Sequence, residues 1–470
     1  DSEKTWFPYN KGGDAQNWYG NRELVVDFYG GGKHIKEYSE KNGTSIDLNA
    51  KDVFFKRGIT WTALTSSRNT FRFSPYGAAF DSNKGPMVFP EDEDQLYYLL
   101  ALFISPVAQY YFKVFNPTIS LQNGDVDNLP VIMDENLEEI IQLSKENVSL
   151  TKQDWDSFET SWDYRESPLI GEDTIESAFE RWRRVCDDRF NRVMKNEERI
   201  NELFIKTYGF ENVLSPKVTE GDITLHRADL KRDIEGLISY AVGCMFGRYS
   251  LDEKGIVYAG GNWDETRYKK YLPNKDAILP ICDDEYFDND IVERFTDFIS
   301  AAYGEETLDQ NLMFIAKALG GKGTPQQIIR NYFINDFYIA HCSLYAVNGS
   351  GKRPIYWLFD SGKKNGFKCL IYLHRYHSDT IAKIRTDYVH EQQSRYRTAI
   401  SGLKKRLDHA EASERIRLNK QLSSLEAQET EIRKFEEKIH HLADQMIEID
   451  LAEGVKKNYS RFQDVLAKIK

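Results

Sequence analysis

From Leu403 to Glu453 the chain contains neither glycine nor proline. So long a run without a breaker suits helix and little else. Leu418, Leu425, Ile432, Ile439 and Met446 recur at one core position of a heptad, and Gln421, Gln428, Phe435, Leu442 and Ile449 at the other. The two glutamines weaken the seam at its N-terminal end. The tail from about Asp379 to Lys470 therefore reads as nearly all helix, either a coiled-coil arm or one half of a helical pair.

The 470 residues, 41% hydrophobic and 13% aromatic, are enough for several globular domains. No apolar run approaches the ~20 residues that span a bilayer, and the opening DSEKTWFPYN has no secretory core. The missing initiator Met suggests that the sequence starts inside a longer polypeptide. Five scattered cysteines (Cys186, Cys244, Cys282, Cys342, Cys369) form no Cys-x-x-Cys zinc pattern, and an odd, sparse set suits a reducing compartment. The expected location is cytoplasmic, without membrane.

Upstream of the tail the pattern is mixed. Residues 1–50 alternate aromatic and polar residues between Gly-rich turns, and VVDFYGG and DVFFKRG read as strands. GITWTALTSSRNTFRFSPYGAAFDSNKGPMVF (58–89) reads as short strands broken by Gly and Pro. EDEDQLYYLLALFISPVAQYYFKVF (91–115) is an apolar helix with acidic residues at its start and a break expected at Pro106. It leads into a tight Asn-Gly-Asp turn. Trp155, Phe158 and Trp162 fall at helical spacing, as packing anchors do, and 174–206 is a long amphipathic helix with a stripe of Ala178, Trp182, Val185, Val193, Ile200 and Leu203. Residues 225–345 read as mostly helical, and 353–373 as a β-hairpin. The fold expected is α+β and multi-domain: a mixed α/β domain over 1–133, a helical domain over 134–350, a β-hairpin insertion over 351–378 packed on it, and the helical, coiled-coil tail over 379–470.

The net charge of −12 argues against simple coating by nucleic acid, but its distribution is uneven. Residues 51–90 carry six Lys/Arg against two Asp/Glu, 91–180 carry four against twenty, and 352–385 carry eight against two. Two basic islands in an acidic chain can face phosphates, because local field rather than total charge steers a polyanion. Ordinary solvated faces produce the same pattern. In the first island Arg57, Arg68 and Arg72 are candidates for phosphate or guanine contacts, with Lys56 and Lys84 beside them. Thr60, Thr65, Ser66, Ser67 and Asn69 could touch base edges, as could Asn123 on the turn. Trp61 and Phe73 suit a core. In the second island Lys352, Arg353, Lys363, Lys364, Lys368 and Arg375 would make sequence-blind phosphate contacts.

No catalytic constellation emerges. GGGK (30–33) and GSGK (349–352) lack the Ser/Thr of a phosphate loop and read as turns, and the HRYH pair (374–377) has no third ligand nearby. No G-x-S-x-G elbow is present. Asp154, Asp156 and Glu159 share a helix with no lysine suited to metal-dependent cleavage. Asn116-Pro117-Thr118-Ile119 is reminiscent of the Asn-Pro-Pro-aromatic loop that holds a flipped adenine, but Ile119 removes the stacking ring. The sequence shows no cofactor-binding, metal or catalytic residues of its own.

The runs KTWFPYNKGGDAQNWYGN (4–21), GITWTALTSS…FSPYGAAFD…GP (58–86), NPTISLQNGDVDNLP (116–130), DWDSFETSWDYRESPL (154–169), KRPIYWLFDSGKKNGFKCLIYLHRY (352–376) and KIRTDYV (383–389) occur in an order that resembles the PglX family. These are the adenine-specific DNA methyltransferases of BREX phage-defence systems. Related signatures occur in large single-chain restriction–modification enzymes. The resemblance implies N6-adenine methylation of a short site in double-stranded DNA, with S-adenosylmethionine bound by a domain upstream of Asp1. The chain itself would be the C-terminal, DNA-recognising portion. The rival reading is a protein-interaction scaffold that docks other BREX components or a DNA-mimicking phage anti-defence protein.

Overall fold

The computed structural model describes residues 4–44, 50–66, 68–133, 135–347 and 351–469, and the fold is α+β. The chain divides into two compact units, Asp1–Tyr164 with Arg181–Ala228 and Arg165–Glu180 with Asp229–Lys470.

In the first unit β1 (Trp6–Asn10) pairs antiparallel with β2 (Val25–Asp27) and parallel with β5 (Ala79–Phe80). A second sheet places β3 (Gly58–Trp61) between β4 (Phe71–Ser74) and β6 (Met87–Val88), all antiparallel. A Cβ on Gly58 would sit 2.4 Å from the Val88 carbonyl oxygen, so this close approach requires glycine. The DVFFKRG run is not a strand. Lys51–Val53 form a 3-10 turn, because Phe54 and Phe55 swing into a ring cluster with Phe28, Phe7 and Phe80, and packing of these five rings outweighs β propensity. The helix α1 (Lys33–Asn42), which follows the Gly30–Gly32 turn, also escaped the sequence reading.

Helix α2 (Glu93–Ile104) starts where the Asp92 carboxylate accepts from the Gln95 amide, with Glu93 and Asp94 in its first turn. It gives way to α3 (Pro106–Phe115) through a 68° bend at Ser105, as Pro106 foretold. Ser105 caps the second helix, and Pro106 needs no N–H there. The five-residue α4 (Asn123–Asp127) is the Asn-Gly-Asp turn. Leu100, Leu102, Val107 and Phe112 pack with Trp18, Trp61 and Phe71 and with α5 (Leu137–Trp155) and α6 (Ile175–Thr207). Val193, Ile200 and Leu203 of α6 lie in that core, as their spacing predicts. Trp155 packs against it too, whereas Trp162 stays 44% exposed beneath Arg22. No single helix among the described residues is long and apolar enough to cross a membrane.

The second unit is built on α7 (Leu230–Phe246), α8 (Ile291–Tyr303), α9 (Leu308–Leu319), α10 (Pro325–Asn335) and α11 (Phe337–Leu344). Strand β7 (Ile278–Pro280) precedes α8, and the short strands β8 (Ala346–Val347) and β9 (Gly351–Lys352) follow α11. The expected hairpin is present as β10 (Tyr356–Asp360) against β11 (Lys368–Tyr372), with Leu358 opposite Leu370. β7 adds a third antiparallel strand that the sequence reading missed.

The tail forms α12 (Thr380–Lys383), a π-helical turn over Ile384–Val389, then α13 (His390–His409) and α14 (Ala412–Ala443). The last two make a helical pair. The reversal needs no Gly or Pro: Ala410 and Glu411 turn extended (ψ 141° and 162°) so that the two apolar stripes can face one another. Ile432, Phe435 and Ile439 of the heptad seam are buried against Phe359, Phe367 and Ile371 of the hairpin. The helix ends ten residues earlier than the breaker-free run, and Met446 leaves the seam at φ 44° and stands exposed. From Asp444 to Ile469 the chain is mostly turns, with a 3-10 helix over Leu451–Glu453 and a short α-helix over Val455–Ser460.

Candidate nucleic-acid interface

The Trp61 indole sits in the core and donates from Nε1 to the Leu121 carbonyl at 3.0 Å. That bond joins the end of β3 to the segment after α3. Two backbone bonds continue the join, Leu121 N to Ala63 O (2.8 Å) and Thr65 N to Ile119 O (3.0 Å), with Leu64 opposite Ser120. Residues 63–65 and 119–121 thus form a minimal antiparallel ribbon. Strand alternation then sorts its side chains. Ala63 and Leu121 point into the core, while Leu64 stands 61% exposed.

The loop after Phe115 is braced from within. The Asn116 amide donates to the Ser120 carbonyl (2.7 Å) and to Asp125 Oδ2 (2.8 Å), and its oxygen accepts from the Thr118 amide and hydroxyl. The Asp125 carboxylate also accepts from the Gln122 amide. Asn116 is therefore spent holding the loop in shape, which agrees with the missing aromatic in setting it apart from a base-holding residue.

Beside the ribbon lies a cleft of about 640 Å³ within the first unit. Thr65, Ser66, Arg68 and Asn69 line one side, and Asn116–Ile119, Lys113, Tyr110 and Lys217 line others. Arg68 is anchored there. It donates to the Ile104 carbonyl and pairs with Asp222 at 3.6 Å. Burial pushes the Asp222 carboxyl up, but hydrogen bonds from Thr219 and the Arg68 charge outweigh it and hold the group below its ordinary value. Lys113 and Lys217 are exposed and make no ion pair among the described residues. The cleft therefore offers hydroxyls, amides and two free ammonium groups to a polar, anionic ligand.

The remaining sequence-nominated residues are dispersed. Arg72 is 1% exposed and donates to the Gln16 carbonyl and the Thr62 hydroxyl. Burial pushes its guanidinium down to about 10, partly offset by Glu23, so this side chain is committed to the interior. Thr60 is likewise buried, with its hydroxyl toward the Gly85 carbonyl. Arg57 pairs with Glu93 at 2.9 Å and lies over Tyr76. Lys56, Lys84 and Asn123 are exposed on the same unit, away from the cleft lining. Ser67 lies outside the described residues.

In the second unit Lys363 and Lys364 are exposed on the hairpin turn, which Glu431 pins by accepting from Ser361 Oγ, Lys364 N and Gly366 N. Arg353 is exposed, and Lys352 donates to Ser343 Oγ. Lys368 is buried and donates to the Ile334 carbonyl at 3.1 Å. Arg375 closes the C-terminus of α7. It donates to the carbonyls of Phe246, Asn274 and Lys275 and stacks 3.9 Å from the Trp263 ring centroid. A cation there complements the helix dipole. Arg375→Ala is expected to lower the stability of the second unit by about 2–3 kcal/mol, leaving carbonyls unpaired and Trp263 uncovered. Thermal melts of parent, Arg375→Ala and Arg375→Lys would show it, with lysine recovering only part because it cannot span three acceptors.

The sequence places residues 56–90 and the 116–125 turn toward a major groove but does not single out Leu64, Thr118, Ser120 or Gln122 within them, and it leaves Lys113 and Lys217 out. The signal was partly there: Gln122 adjoins the nominated Asn123, and Lys113 falls on the polar face of an otherwise apolar helix. Lys217 comes from a loop distant in sequence and carried none.

No protein-family model matches the chain. An adenine-specific methyltransferase PglX from Lacticaseibacillus casei (strain Zhang) is 39% identical over 475 residues, covering 98% of this chain and 39% of its own length. An adenine-specific methyltransferase BrxX from Escherichia coli O9:H4 (strain HS) is 35% identical over 500 residues, covering 99% and 40%. The chain thus spans about two fifths of the length of these curated relatives. Aligned almost from end to end, the chain is a homologue of a portion of the PglX/BrxX adenine-specific methyltransferases.

Proposed function

We propose that this chain is the DNA-recognising segment of a site-specific DNA adenine-N6 methyltransferase of the BREX type, acting on cytoplasmic double-stranded DNA. The reading function lies in residues 1–133. Methyl transfer from S-adenosylmethionine belongs to the remainder of such a protein, in keeping with the lack of an Asn-Pro-Pro-aromatic loop here. The observation that carries the reading is the ribbon formed by 63–65 and 119–121, with its cationic cleft. A two-stranded ribbon fits the major groove, where side chains reach base edges directly. Leu64 is suited to a thymine methyl, Ser66, Thr118, Ser120 and Gln122 to hydrogen bonds with bases, and Lys113 and Lys217 to phosphates. The committed positions of Arg72 and Thr60 remove them from this set, and Arg68 serves as a brace for the cleft.

The acidic run over 91–180 supports this reading over a docking scaffold for other defence components or a DNA mimic. Much of its charge is paired within the first unit, as in Lys145 with Asp94 (2.8 Å), Arg57 with Glu93 (2.9 Å) and Arg199 with Glu139 (2.7 Å).

The test is competitive selection from a pool of duplexes by the chain. The parent is expected to enrich a short motif. Ser66→Ala with Gln122→Ala, both exposed, should relax the preference at one or two base positions by about 1–3 kcal/mol each. Enrichment of the same motif by the double variant, or of none by the parent, would refute the assignment.

A further inference from the structure

Beyond Tyr396, the last buried side chain of α13, the outer half of the helical pair buries Leu418 between its own helices' apolar positions but adds no residue to the hydrophobic cluster built around the hairpin. Residues 397–409 rise roughly 20 Å at 1.5 Å per residue before the chain returns along α14. Over 397–420 this outer half holds seven Lys/Arg against three Asp/Glu, net +4 in a chain of net −12. It is a third basic island, beyond those over 51–90 and 352–385. Lys404 pairs with Glu426 at 2.9 Å and Arg406 with Glu414 at 3.2 Å, which staples the two helices together. Arg397, Lys405 and Lys420 are exposed and make no ion pair among the described residues.

We infer that the outer half of the α13–α14 pair is a sequence-blind grip on the phosphate backbone of double-stranded DNA. A stapled helical arm that presents unpaired cations beyond the core of the unit offers no packing reason for them, and charge complementarity selects a polyanion. The inference rests on the nucleic-acid reading of the first unit, from which it takes duplex DNA as the polyanion. It also replaces the hairpin as the main backbone contact of the second unit, because Lys368 and Arg375 there are committed to carbonyls.

The test is the salt dependence of duplex binding by the parent chain and by Arg397→Ala/Lys405→Ala/Lys420→Ala. All three sites are exposed on helices, where alanine preserves helicity; far-ultraviolet circular dichroism confirms the fold. Each lost phosphate contact should reduce the slope of log Kobs against log salt by about 0.9, so by up to about 2.7 in the triple variant. Binding should weaken for every sequence alike, with the enriched motif unchanged. A triple variant with the parental slope would overturn the arm while leaving the ribbon reading intact. A flattened slope, together with a motif that Ser66→Ala/Gln122→Ala fails to alter, would overturn the ribbon reading and keep the arm. A parent that binds anionic phosphatidylserine vesicles but no duplex would overturn the arm as a DNA contact.

Discussion

Arg330→Ala is expected to destabilise the second unit by about 3–5 kcal/mol. Asp290 is fully buried and caps α8 by accepting from the Val292 amide, while its second oxygen receives the Arg330 guanidinium at 2.9 Å. Arg330 also donates to the Cys282 carbonyl at 2.9 Å, which ties α10 to the strand side of the unit. Burial pushes the Asp290 carboxyl up, and the Arg330 charge offsets only part of that. Removing the guanidinium therefore strands a buried carboxylate and an unpaired carbonyl together. The α8 cap then has to take up a proton or admit water. Calorimetry at neutral pH should show the transition of the second unit moving down by many degrees. Arg330→Met with Asp290→Asn should recover much of the loss, because no buried charge remains. A melt of Arg330→Ala within a degree of the parent would show that the pair contributes nothing net.

Glu197 is expected to make the first unit lose stability as pH rises, the reverse of the usual carboxylate. It is 3% exposed on α6, and its Oε1 accepts from Trp18 Nε1 at 2.7 Å, while Oε2 has no hydrogen-bond partner among the described residues. Burial pushes its pKa up from 4.5 to about 7, against the Trp18 hydrogen bond and the Arg68 charge, with Asp222 adding to the rise. Below pH 4.5 the group is protonated in both folded and unfolded chains. Between 4.5 and about 7 the unfolded chain ionises first, so folding takes up a proton and stability falls with rising pH. The whole excursion is worth roughly 3 kcal/mol and is complete above pH 7. Glu197→Gln keeps an acceptor for Trp18 without the charge. Its denaturation profile should be flat through this window and exceed the parent's at pH 8 by up to about 3 kcal/mol. Parallel profiles for the two proteins would mean that the carboxyl ionises in the fold at no cost.

The periodic elements were legible in the sequence because period and capping are local. The α6 stripe, the bend at Pro106, the hairpin over 356–372 and the helical tail all follow from such signals. What escaped was set by distant partners. Ala410 and Glu411 reverse the tail with no breaker, because two stripes gain more by facing each other than by continuing. The candidate interface was half legible. Composition drew attention to a loop whose Thr65, Ser66, Arg68 and Asn69 meet at one cleft. It could not tell that Arg72 and Lys368 face inward, because a buried guanidinium or ammonium aimed at carbonyls looks in sequence like any surface cation. Nor could it foresee that Lys217 reaches the same cleft from beyond α6.

The ribbon that joins Ala63 to Leu121 has a bearing on how the chain acquires its shape. Its sealing bond from Trp61 to Leu121 closes a span of sixty residues, whereas an ordinary hairpin closes a handful. By polymer statistics the longer closure costs about 2.4 kcal/mol more than a four-residue turn. That entropy is recovered only after α2 and α3 have condensed on the β3–β4 pair. The tip should therefore be among the last parts of its unit to order during refolding. It would also be among the first to open in hydrogen exchange, well before the Trp61 core beneath it gives way.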